Sequence, residues 1–160
     1  MKMSTTDSAN RIVVGVSNSR ASAAALRKAV REAASRAAEL RLVRVWTDVE
    51  WFPSMSLEQA RKMPIRERED KQILEDAFAV AHQLDPSVDL VAEWVAGDLY
   101  TTMSRLAGEA ALVVVGEESE DADGSGLGHW LMRHVGCPVE VVAASGVSVR
   151  TESNALTDVG

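Results

Sequence analysis

The chain has one cysteine, Cys137, so no disulfide can form within it. Burial of apolar groups must hold the fold, in keeping with a reduced compartment. Long apolar runs are missing too: no stretch approaches the ~20 uninterrupted apolar residues of a membrane-spanning helix. Residues 1–10 (MKMSTTDSAN) lack the apolar core of a secretion signal and read as a flexible N-terminal segment. Positive charge is in deficit. Lys and Arg number 17 against 24 Asp and Glu, and the net charge of −7 disfavours binding to nucleic acid or anionic membranes. Aromatic residues are only 4% of the chain. Trp46, Trp51, Phe52, Trp94 and Trp130 hold nearly all of that bulk and are expected in packing. No nucleophile elbow, Walker A loop, CxxC or HExxH occurs, so no catalytic residues are assigned and the chain reads as a non-enzyme. These absences together imply a cytoplasmic protein that engages neither nucleic acid nor membrane.

What is present is a globular composition, with 46% hydrophobic and 26% charged residues in a length suited to one domain. Ile12–Val16 is a β-branched apolar run, the pattern of a strand covered on both faces. Asn18 or Ser19 can cap the helix that follows, whose core face is Leu26, Ala29, Val30, Ala33 and Ala37. Leu40–Trp46 is a second strand. Thr47–Met63 reads as a long loop, partly helical at Ser56–Lys62, and Trp51, Phe52 and Met55 on it could cover a ligand crevice. Pro64 suits the first turn of a helix whose core face is Ile73, Ala77, Val80, Ala81 and Leu84. Val88–Val95 alternates charged and apolar positions and reads as an edge strand. Gly97–Asp98 is a turn and cap before a helix lined by Leu99, Met103, Leu106 and Ala107. Ala111–Gly116 is the most apolar strand, hence central. Leu127–Val135 is a short helix, and Pro138 opens a last strand, Val139–Ala143.

The resulting β-α-β-α-β-α-β-α-β order predicts an α/β fold with five parallel strands sandwiched by helices. The domain spans 11–144, and 145–160 reads as a flexible tail. In open sheets of this kind ligands sit beyond the carboxyl ends of the strands, which singles out the loops Ser17–Arg20 and Glu117–Gly128.

The second loop is chemically at odds with its place. A phosphate cradle wants glycine amides and positive charge, whereas Glu117, Glu118, Glu120, Asp121 and Asp123 would repel a triphosphate of about three to four negative charges. Asp121, Asp123 and Ser125, with Gly126 at the sixth position, resemble the start of a calcium loop, but Met132 stands where the closing glutamate is needed, so no metal site is assigned. His82, His129 and His134 are dispersed, and Cys137 reads as a small buried hydrophobe.

The segment RIVVGVSNSRASAAALRKAVREAASRAAELRLVRVW, followed by Gly97–Asp98, by LVVVG at Leu112–Gly116 and by RHVGCPVEVV at Arg133–Val142, resembles the universal stress protein family. The likeness runs over most of Arg11–Ala143. It implies a Rossmann-like sandwich of strand order 3-2-1-4-5, a stress-response or regulatory role, and subunits paired through the last strand, here Val139, Val141 and Ala143. Family members that bind ATP carry an aspartate after the first strand and a G-x2-G-x9-G-[ST] pattern after the fourth. Ser17 replaces that aspartate, Gly116 matches the first glycine, Ser119 stands at the second, and the loop is shorter, with Gly124–Ser125 as a displaced G-S pair. The resemblance therefore implies a homodimeric regulator that contacts another protein, with a degenerate site and weak or no ATP binding. The alternative is an ATP-binding regulator, with Mg²⁺ and slow hydrolysis. In either case the pocket positions are Ser17, Asn18, Ser19, Val45, Gly116, Gly124, Ser125 and Gly126, with Arg20 and the first helix's amides as anion contacts.

Overall fold

The structure, a computed structural model, describes residues 10–46, 57–117 and 126–151, with side chains left aside at 57–66. The elements run β1 (Arg11–Gly15), α1 (Arg20–Arg36), β2 (Glu39–Trp46), α2 (Leu57–Leu84), β3 (Leu90–Ala96), α3 (Leu99–Ala107), β4 (Leu112–Gly116), α4 (Leu127–His134), β5 (Val139–Val142) and β6 (Ser148–Arg150).

They form one sheet of order β3-β2-β1-β4-β5-β6, in which the first five strands are parallel. β1 and β4 lie at the centre, in register from Ile12↔Leu112 to Val14↔Val114, and all six of those residues are fully buried. Alternate residues feed two cores, as a strand covered on both faces requires. Ile12, Val14, Leu40, Leu42, Leu112 and Val114 pack on one face, beneath α1 and α2. Val13, Val43, Val113, Val115 and Val141 pack on the other, with Met103 and Leu106 of α3 and Leu131 of α4. The expected strand order and the edge position of β3 both hold.

The tail expectation is corrected at 148–150, while 152–160, like the N-terminal 1–9, lie outside the described residues. Ser148–Arg150 is a sixth strand, antiparallel to β5, turned back through Gly146 at φ 95°. It is held by charge as well as backbone. Glu140, with its side chain only 2% exposed, accepts from Ser148 Oγ at 2.6 Å and Arg150 Nε at 2.9 Å, and Lys28 Nζ lies 3.7 Å away. Arg150 also reaches Glu32 of α1 at 3.1 Å. β6 therefore occupies the outer edge of β5, the strand expected to be last in the sheet.

Helix boundaries differ in two places. α2 begins at Leu57, so Pro64 sits inside the helix rather than in its first turn. Having no N–H, Pro64 leaves the Ala60 carbonyl without its helical donor. Val80 and Leu84 are each 46% exposed, while Leu74 and Ala81 are buried and Ile73, Ala77 and Phe78 pack partly against the core. The buried stripe is therefore rotated from the one expected. Ala37 is not a core residue either: it is the exposed left-handed cap of α1, at φ 53°.

Candidate functional site

Where β1 and β4 part, a cavity of about 320 Å³ opens at the carboxyl ends of the strands. Gly15, Val16 and Ser17 leave β1 on one side of it; Val115 and Gly116 leave β4 on the other. Val43, Arg44 and Val45 of β2 line it as well, and Leu99, Met103 and Leu127 bring in α3 and α4. A second cavity, of about 220 Å³, lies across the β1–α1 loop, between α1 and α2. Ser17 borders both; Asn18 and Ser19 border only the second. The sequence positions thus divide. Ser17, Val45 and Gly116 meet at the crevice, and Gly126 adjoins it as the N-cap of α4. Asn18 and Ser19 face the neighbouring cavity. Arg20 is exposed and lines neither. Gly124, Ser125, the carboxylates beyond Glu117, and the cover expected from Trp51, Phe52 and Met55 lie outside the described residues.

The β1–α1 loop is stitched together by its own serines. Ser19 is the N-cap of α1, its hydroxyl accepting from the Ser22 amide at 3.0 Å. The Ser22 hydroxyl accepts from the Ser17 amide at 2.8 Å, and the Ser17 hydroxyl from the Ser19 amide at 3.3 Å. Three amides that could meet an anion at this helix N-terminus therefore already donate to hydroxyls.

Gly116 has a packing role. A Cβ placed on it would lie 2.6 Å from the Ala21 carbonyl carbon and 2.7 Å from the Ser22 nitrogen. The first turn of α1 rests directly on this strand end, as only glycine permits. Gly128 does the same in α4, where a Cβ would meet Val141 at 2.6 Å. Gly97, at φ 148°, donates its amide to the Trp46 carbonyl at 2.9 Å and turns the chain into α3. The Thr101 amide, donating to the cap Asp98 at 2.8 Å, holds that carboxyl below the usual range.

Arg44 and Asp70 are the site-proximal residues that sequence reasoning missed. Arg44 alone carries positive charge among the described residues lining the crevice. That charge is matched by Asp70 of α2, at 2.7 and 2.8 Å. The signal was available: Arg44 shares strand parity with Leu40 and Leu42, so a cation there must find a partner under α2. At the other rim, Glu117 lies 3.7 Å from His129 Nε2, joining the end of β4 to the first turn of α4. His134 stacks on Trp130 at 4.2 Å and contacts the Trp130 carbonyl through Nδ1 at 2.8 Å, a packing role. Burial pushes the Cys137 thiol up to about 11, which leaves it a poor nucleophile at neutral pH. Among the described residues, no three His, Cys, Asp or Glu side chains converge as metal ligands.

This strand order and carboxyl-end crevice are what the sequence likeness implies, and a direct comparison decides the matter. A model of the universal stress protein family matches residues 9–143. The chain belongs to that family. No curated protein is a significant sequence match. Among solved structures, the chain is similar to a universal stress protein family member from Burkholderia pseudomallei, at 26% identity and TM-score 0.64, covering 84% of this chain and 96% of that one. It is similar to a universal stress protein in complex with cAMP, at 23% identity and TM-score 0.63, covering 86% and 98%. A family protein from Arabidopsis thaliana with AMP bound aligns at 16% identity and TM-score 0.62, covering 84% and 91%. In this universal stress protein Ser17 lines the crevice and donates its amide to the Ser22 hydroxyl at 2.8 Å. No described helix is long and apolar enough to cross a membrane.

Proposed function

We propose that this universal stress protein is a cytoplasmic regulatory protein, not an enzyme, whose crevice binds ATP weakly or not at all. The observation that carries the reading is the closed serine network: the amides of Ser17, Ser19 and Ser22 donate within the loop. A triphosphate would have to break those bonds to gain the same donors, with little net return. Charge adds to this. The cation of Arg44 is balanced by Asp70, and Glu117 stands at the rim. A smaller ligand suffers less. Two structural relatives hold AMP or cAMP, and a cavity of about 320 Å³ is of a size to take a nucleoside monophosphate.

Isothermal titration with ATP and AMP, each with and without Mg²⁺, tests this. The expected result is AMP binding tighter than ATP, with ATP at millimolar affinity or weaker. Micromolar ATP binding would overturn it. A gain in ATP affinity only with Mg²⁺ would favour the other reading, in which the acidic loop holds a cation that bridges to the phosphates.

The proposed homodimer moves with the edge. β6 covers β5, so pairing of two copies falls to β6. Val149 on that strand and Val147 just before it are 64% and 69% exposed, the highest values among the exposed large hydrophobic residues described. An open edge strand bearing apolar side chains is a template for a second strand. The paired subunits would then present a surface to a regulatory protein partner.

A further inference from the structure

The ion pair beside the crevice belongs to a longer chain of contacts. Asp70 is a single carboxylate, 11% exposed, that accepts from three donors. Arg44 Nε and Nη2 reach one oxygen at 2.8 and 2.7 Å, and Trp94 Nε1 of β3 reaches the other at 2.6 Å. Arg44 then extends in the opposite direction. Its Nη1 donates to the Val16 carbonyl at 3.1 Å. Val16 is the first residue past β1, where the serine loop begins, and its own amide donates to the Val43 carbonyl at 2.9 Å. Both backbone polar groups of the residue that aims the loop are thus held from β2, one by the strand and one by a side chain. The side-chain hold is only as firm as the carboxylate that fixes the guanidinium. Two donors of the planar guanidinium meet one Asp70 oxygen, which fixes its orientation as a point-charge ammonium cannot.

We propose that Trp94, Asp70 and Arg44 form a relay that sets the β1–α1 loop. Asp70 and Arg44 are positioning residues for the crevice, and Trp94 is its reporter on the β3 edge. Replacing a buried ion pair by apolar side chains of similar volume often costs little stability, so stability alone does not explain such a network on an apolar helix–sheet face. Its output is the direction of one carbonyl at the mouth of the crevice. Trp94 is well placed to sense a change. Beyond Asp70, its ring packs 5.5 Å from that of Trp46, with Lys71 Nζ 4.6 Å from its centroid. A shift of Arg44 relative to Asp70 would change the field around the carboxylate that accepts the indole N–H, and with it the emission.

The test has two arms. Hydrogen exchange on the ligand-free protein compares wild type with Arg44→Lys and Asp70→Asn. Lysine keeps the charge but cannot hold Asp70 and the Val16 carbonyl together. The expected result is at least tenfold faster exchange of the amides at 16–22 in both variants, with the amides of β4 and β5 unchanged. Unchanged protection at 16–22 would overturn the proposal, and so would an equal loss across the whole sheet, which would mean a merely structural pair. The second arm rests on the mononucleotide reading above. AMP is titrated into wild type and into Trp94→Phe while tryptophan emission is followed. A response in wild type that is lost in Trp94→Phe supports the relay; an equal response in both removes Trp94 from it. If AMP gives neither heat nor emission change in wild type, the nucleotide reading fails, and the exchange arm still decides the relay.

Discussion

Gly116 and Ala21 touch through their backbones: a Cβ on the glycine would lie 2.6 Å from the alanine's carbonyl carbon. This contact seats the start of α1 on the end of β4 and so sets the width of the crevice between them. A glycine that matches a nucleotide-binding pattern is here required by the packing of a helix on a strand, whether or not a ligand is present.

Gly116→Ala should therefore destabilise the empty protein. The clash is with backbone, which cannot rotate away, so a loss of about 1–3 kcal/mol is expected, the range for overpacking. Urea unfolding in the absence of nucleotide measures it. A stability equal to wild type would show that α1 yields freely and that the glycine serves only a ligand.

Acid should weaken the attachment of β6. Burial raises the Glu140 carboxyl, but the Ser148 and Arg150 donors more than offset this, and the group lies below its ordinary value when folded. The unfolded chain then binds the proton more readily. The stabilisation is complete above the unfolded value of about 4.3 and is lost as pH falls through the folded one. Unfolding free energies measured from pH 7 to pH 3 should fall more steeply in wild type than in Glu140→Gln. At pH 7 that variant should be less stable by about 1–3 kcal/mol, below the usual cost of breaking a buried pair because Arg150 keeps Glu32 and is 37% exposed. Parallel curves for the two proteins would remove Glu140 from the acid response.

Pairing of two copies should depend on β6 and not directly on β5. Val149→Lys places a charge on an exposed edge and is expected to shift sedimentation from dimer to monomer with the fold intact. Val141→Lys is the wrong probe. Val141 is 3% exposed and lies against Gly128, so a lysine there would disrupt the packing of α4. A Val149→Lys protein that remains dimeric would place the contact elsewhere.

Much of the fold is legible in the chain because local pattern and tertiary need agree. Ile12–Val16 and Leu112–Gly116 are apolar at every position before their glycines, which only a strand covered on both faces requires, and they are the paired central strands. Ser19 and Asp98 are the caps their positions suggest. Errors arose where local signals are weak or conflict. Pro64 looks like a helix start because proline is favoured there, yet α2 continues through it. Ser148–Arg150 is too short and too polar to announce a strand; its partner Glu140 is what makes one.

By itself, then, the sequence determined the family, the parallel core and the β1–α1 loop that borders the crevice, because periodicity and caps are properties of neighbouring residues. Only the tertiary structure decided how the polar groups beside the crevice are partnered. Ser17, Ser19 and Ser22 could have offered donors to a ligand, but they fold onto one another. Arg44 could have met a phosphate, but Asp70, from a helix far along the chain, takes its charge. A polar group is committed by whichever partner the fold brings within about 3 Å, and no local pattern records that distance.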